Sequence, residues 1–239
     1  MSIEEKLTTI AENQQAVFDA GYNKGKAVAG GGSGDDTFWD TYQNNGERSN
    51  YNYAFYSAFW DDTNFKPKHN FRFSTANYVF YQCGVTDLVA ILKREGITMD
   101  FSPCTVFSYA FYSSGLVTLP VINTTKASSL PNTFGQSTRL KSIEKLILKS
   151  DGSQTFTNTF TGLSSLEHMI VEGTIGKNGV ILSSSSKLDK ESLLSVLNAL
   201  QDKTGDTSET WKITIGTTNK KKLTDAEVAI ATDKNWQVV

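Results

Sequence analysis

Hydrophobic and polar positions recur along this chain as a unit rather than as one simple period. Each unit has a phenylalanine, a short polar or small-residue run, an aliphatic residue, and a second aliphatic three positions later. It appears in "YVFYQCGVTDL" (78–88), "YAFYSSGLVTLPVIN" (109–123), "NTFGQSTRLKSIEKLIL" (132–148) and "TNTFTGLSSLEHMIVEG" (157–173). The anchors are Phe80, Phe111, Phe134 and Phe160, with Phe55 of "YAFYSAFW" as a degenerate first copy; the steps between them are 25, 31, 23 and 26 residues. The longest step contains "VAILKREGI" (Val89–Ile97), which reads as a short amphipathic helix inserted in one repeat. The aliphatic pairs are Val85 and Leu88, Leu116 and Leu119, Leu140 and Ile143, and Leu166 and Met169. A β-prone piece follows each pair: "ITMDF", "PVIN", "KLILK" and "MIVEG". Taken alone, Thr157–Gly173 reads as a short helix entering a strand. Its recurrence predicts one unit of a stack.

The flanks follow other patterns. Ile3, Leu7, Ile10, Gln14, Val17 and Gly21 form a heptad seam, predicting an N-terminal helix over 1–28 that self-associates as a dimer or trimer. "AVAGGGSGDD" supplies a glycine-rich tether over 29–36. It lacks the Lys-Ser/Thr ending of a phosphate-binding loop and has no strand before it. Residues 37–75 are rich in aromatics, Trp39 and Trp60 among them, and read as a cap on the open end of the repeats at 76–187. Within 188–239, "LDKESLLSVLNALQ" places Leu193, Val196, Leu197 and Leu200 on one helical face, and "WKITIG" alternates as a half-buried strand. Thr224 and Glu227 fit a capping box, so this segment reads as an α/β C-terminal cap.

Composition narrows the picture. The 239 residues are 38% hydrophobic with net charge −2, enough for a sizeable core and too neutral for binding nucleic acid or an anionic membrane through bulk charge. Lys220–Lys222, the one basic run, reads as a solvated edge. No stretch reaches the roughly 18 apolar residues of a membrane span. "MSIEEKLTTIAENQQAVF" has neither a basic n-region nor an apolar h-region, so no secretory signal peptide is expected. Cys83 and Cys104 sit among apolar neighbours and read as small core residues rather than a bridge.

No catalytic or metal-binding constellation is read from the chain, and no cofactor is expected. Ser164, Ser165, Glu167 and His168 are adjacent in sequence, which does not place them as a triad. Zinc-ligand spacing is missing, and Asp35, Asp36, Asp40, Asp61 and Asp62 lack the alternation of a calcium loop.

A period of roughly 20 to 30 residues with L-x-x-L-x-L character is a leucine-rich signature. One such unit cannot bury its own apolar side, so units stack into a solenoid. The segment from 75 to 185 further resembles the BspA-like (Treponema-type) leucine-rich repeat, whose core runs A-F-x-x-C-x-x-L-x-x-I-x-L-P. Phe80, Cys83 and Leu88 match in one copy, and Ala110, Phe111, Leu116, Leu119 and Pro120 in the next. The copies at Phe134 and Phe160 depart from it, with Thr in place of Ala and one extra residue before the Leu.

The expected fold is therefore an α/β leucine-rich solenoid with short strands and irregular or short helical connections, between an N-terminal helix and a C-terminal cap. The resemblance implies a non-catalytic binding and display module. The whole layout is similar to proteins encoded among tail genes of phages and prophages of Gram-positive gut bacteria. That implies a virion protein that recognises a host-surface glycan or protein and meets other virion proteins through its N-terminal helix. A bacterial cell-surface adhesin and a purely structural virion protein are the alternatives. Trp39, Trp60, Asp100, Asn123, Lys149 and Glu172 are the candidate binding positions.

Overall fold

A computed structural model describes residues 43, 46–56, 62–63 and 65–239. The seam residues Ile3, Leu7, Ile10, Gln14 and Val17, the tether, and Trp39 and Trp60 lie outside the described residues. The described residues run β1 (Phe71–Arg72), α1 (Leu88–Glu95), β2 (Met99–Asp100), β3 (Thr118–Asn123), β4 (Ser142–Ile147), β5 (His168–Glu172), α2 (Lys190–Asn198), β6 (Trp211–Ile213), α3 (Thr217–Lys220), α4 (Asp225–Thr232) and β7 (Trp236–Val238).

Every strand pairing among the described residues is parallel: β1 with β2, β3 with β4 and β4 with β5, and β6 with β7. Parallel neighbours require a crossover between them. From β3 to β5 each crossover is a Phe-anchored segment, and β3–β5 are in register from Thr118 through Ser142 to His168. Leu119, Ile143 and Met169 form one buried row; Ile122, Leu146 and Val171 form the next. The three-residue step in β3 and β4 shortens to two in β5 because the register shifts by a bulge between Ile143 and Leu146.

Inside the crossovers the phenylalanines form one continuous column. Ring centroids are 4.9 Å apart for Phe55–Phe80, 5.8 Å for Phe80–Phe111, 5.5 Å for Phe111–Phe134 and 5.9 Å for Phe134–Phe160. Phe55 continues the column with its ring tilted 33° to Phe80, whereas the later pairs lie within 20° of parallel. Cys83 and Cys104 are buried free thiols, and burial pushes them up to about 12 and about 11.

The helices cap exposed backbone. In α1, Asp87 accepts from the Ala90 N–H, Gly96 ends the helix in the left-handed region, and Leu88, Ile91 and Leu92 are buried. Helix α2 covers the free edge of β5. The Met169 N–H donates to the Ser192 hydroxyl at 2.8 Å and the Val171 N–H to the Ser195 hydroxyl at 3.1 Å, so side chains replace a fourth strand. The capping box at Thr224 and Glu227 opens α4. Lys220 and Lys221 are exposed and Lys222 is half-buried; the Lys220 ammonium donates to Val238 O and that of Lys222 to Ser186 O and Leu188 O. Buried amides lock the loops. The Gln154 side chain donates to Thr124 O at 2.8 Å and Ala127 O at 3.0 Å, and Asn219 bonds Ser185 O and Ile215 O in the same way.

Candidate binding surface

The Phe-anchored segments owe their shape to a regular division of backbone hydrogen bonds. In Ala76–Cys83 the N–H groups of Val79, Tyr81 and Cys83 turn back to the carbonyls of Ala76, Tyr78 and Phe80. Those of Tyr78, Phe80 and Gln82 cross to Ser108, Ala110 and Tyr112 of the next repeat. The same alternation recurs from Phe107 to Ser113 and from Leu130 to Ser137. It requires left-handed backbone two residues before each Phe: φ is 56° at Tyr53, 54° at Tyr78, 53° at Tyr109, 52° at Asn132 and 53° at Asn158. Such φ values are rare for tyrosine and cost on the order of 1 kcal/mol each. At Tyr53, Tyr78, Tyr109 and Asn132 this conformation points the N–H at a carbonyl of the next repeat.

The left-handed residue directs its side chain outward while the Phe two positions on points inward. The residue after each Phe is also partly exposed at Tyr56, Tyr81 and Tyr112. Two tyrosine columns result. Tyr53, Tyr78 and Tyr109 stack at 4.9 and 4.8 Å with rings within 7° of parallel. Tyr56, Tyr81 and Tyr112 stack at 4.9 and 5.5 Å. The columns interlock at a tilt, with Tyr78–Tyr81 at 5.4 Å and Tyr109–Tyr112 at 5.2 Å. Ring faces are spent on one another, leaving ring edges and hydroxyls toward solvent. Burial, then the surrounding phenols, pushes Tyr78 up to about 12. The columns stop at Asn132 and Gly135, and a Cβ built on Gly135 would stand 3.1 Å from the Tyr112 ring.

Two departures from the repeat pattern have a structural account. Thr133 and Thr159 sit just before their Phe, where Ala110 stands in the copy at Phe111. Their hydroxyls are buried and donate to Phe107 O and Leu130 O of the preceding repeat. A polar group is tolerated there because a carbonyl is within reach.

Of the described candidate positions, Asn123, Lys149 and Glu172 lie at or just beyond one end of the three-stranded sheet, and Asp100 lies on another strand. Asp100 lies on β2, 3.6 Å from Arg72, and accepts from the Ser102 N–H. Asn123 ends β3 with its side-chain Oδ1 accepting from the Thr125 N–H and hydroxyl, Lys149 pairs with Asp151 at 3.2 Å, and Glu172 pairs with Lys145 at 2.6 Å. Asn123 and Glu172 flank Ile147 at one end of the three-stranded sheet, each committed to a turn or an ion pair. His168 contacts Asp189 at 2.7 Å rather than its sequence neighbours Ser164, Ser165 and Glu167. Burial opposes ionisation of Asp189, yet hydrogen bonds from Ser192 and His168 hold its carboxyl below the ordinary value. Among the described residues no three His, Cys, Asp or Glu side chains come together as a metal site, and no helix is long and apolar enough to cross a membrane.

The tyrosine columns are what the sequence reading overlooked. Their signal was present as Y-x-x-Y around the anchor at 53–56, 78–81 and 109–112. Comparison with family models, curated proteins and solved structures finds no match to this chain.

Proposed function

We propose that the chain is a binding and display module: a leucine-rich solenoid of BspA-like kind, carried on a phage virion as a tail or surface accessory protein that recognises a host-cell surface component. One observation carries the binding reading. A rigid strip of six partly exposed tyrosines, held by stacking and by backbone bonds between repeats, offers a pre-formed recognition surface. Such surfaces bind at low ordering cost, and tyrosine is enriched where proteins recognise partners. The in-register parallel pairing and the continuous Phe column support stacked repeats. The bacterial adhesin shares this chemistry and differs in origin.

Labelled full-length chain, mixed with Gram-positive gut isolates, should bind at least one of them saturably. Retention no better than that of an unrelated protein of similar charge on every isolate refutes host recognition. Mass spectrometry of particles from an induced host should find the chain among virion proteins; its absence sinks the virion assignment. The seam at Ile3, Leu7, Ile10, Gln14 and Val17 is proposed to hold the copies together as a dimer or trimer. Light scattering should give a monomer once residues 1–28 are deleted, and an unchanged mass rejects the seam.

A further inference from the structure

The tyrosine strip differs from the rest of the surface in its charge. The outward-looping segments are 52–56, 77–82, 108–113, 131–136 and 157–162, and none contains Asp, Glu, Lys or Arg. One residue in five is charged over the whole chain, at 20%. Stacking alone does not account for the gap. Like charges in adjacent repeats repel, but opposite ones pair, as Arg72 with Asp100 and Lys145 with Glu172 do on the strand side. Every polar group along the strip is instead a neutral phenol, amide or hydroxyl.

We infer that the two tyrosine columns and the Asn132–Gln136 step beyond them bind an uncharged, hydroxyl-rich polysaccharide laid along the axis of the repeats. The inference rests on the binding reading above and assigns its ligand class. A phenol both donates and accepts, which matches sugar hydroxyls that do the same. Among the described residues, no hydrogen bond engages the hydroxyls of Tyr78, Tyr81, Tyr109 or Tyr112. A phosphate- or carboxylate-bearing polymer calls for Arg or Lys, which the strip lacks. A peptide ligand calls for a pocket to seat an anchor, whereas the ring faces here are taken up by neighbouring rings. The apolar C–H edges of a sugar suit the exposed ring edges. Because the tyrosine pair is presented three times, 4.8–5.5 Å apart, a regular polymer meets the same groups at each step and gains by multivalency.

The test uses full-length chain on cells of an isolate that retains it, in four arms. Periodate treatment of the cells, which cleaves sugar diols, should abolish binding, and proteinase K should not. Raising NaCl to molar strength should leave binding intact, since no charge pair contributes. The Tyr78→Phe/Tyr109→Phe variant keeps both stacks and removes two hydroxyls; it should bind roughly tenfold more weakly with an unchanged melting curve. Survival after periodate, loss after protease, loss in salt, or wild-type affinity of the variant each overturns the ligand assignment while leaving the binding module standing. Failure of untreated cells to retain the chain refutes the binding reading itself.

Discussion

Phe134→Ala probes the internal column at its best-supported point. Phe134 is fully buried, with Phe111 stacked 5.5 Å away on one side and Phe160 5.9 Å away on the other. Withdrawing the side chain from water is worth about 1.5–3 kcal/mol. Each lost stacked partner adds about 0.5–1.5 kcal/mol. Together they span about 2.5–6 kcal/mol, which brackets the roughly 3–5 kcal/mol found when a buried Phe is cut to Ala. Relaxation is restricted at this site. The Phe134 N–H is bonded to Thr159 O at 3.1 Å and its carbonyl accepts from the Ser137 N–H, so the backbone is not free to close the gap. Urea denaturation followed by far-UV circular dichroism should show the midpoint falling with an unchanged slope. A loss under about 1 kcal/mol refutes the stacked column, because a Phe with two ring neighbours and no exposure cannot be removed so cheaply.

Three further outcomes test other parts of the fold. Ser192→Ala leaves the buried Met169 N–H without an acceptor and should cost about 1–3 kcal/mol; denaturation at full stability rejects α2 as the cover of the β5 edge. Gly173 has φ +94° and a Cβ there would stand 2.4 Å from Leu148 O, so Gly173→Ala should lower the melting temperature sharply, and an unchanged melt rejects this approach of repeats. Tyr78 is raised from 10.0 to about 12, so its contribution to stability is complete below pH 10 and is lost as pH rises toward 12. Absorbance at 295 nm should show delayed phenolate formation coinciding with unfolding, and Tyr78→Phe should flatten that pH dependence; titration of every phenol at pH 10 with no loss of stability contradicts the packed columns.

Much of the framework was legible because it depends on side-chain type at fixed spacing. The anchors Phe80, Phe111, Phe134 and Phe160 stood out by recurrence, and all are buried. The Val89–Ile97 insertion was readable as a helix from its own periodicity, and α1 covers Leu88–Glu95. The Thr224/Glu227 capping box was equally local and is formed. The binding candidates were another matter. Asp100, Asn123, Lys149 and Glu172 read as outward positions of strand pieces, but sequence does not show which charges find a partner. Lys149 and Glu172 each have one, and Lys220 and Lys222 serve carbonyls brought near by other segments.

By itself, then, the amino-acid order determined which side chains must be hidden and how often the pattern returns. Burial depends on residue type, and recurrence brings like to like. It left open the conformation between those points. Phe107, Ala110, Phe111 and Ser114 are buried at the spacing of a helical face, yet no helix forms there. Only the tertiary structure decided that. The alternate N–H groups of this segment find their acceptors in the next repeat, which holds Tyr109 and Ser113 at positive φ. A helix would have consumed those N–H groups internally and left the neighbouring carbonyls unpaired. The same choice turns the tyrosines outward and stacks them, so the surface proposed to bind exists only where adjacent repeats meet.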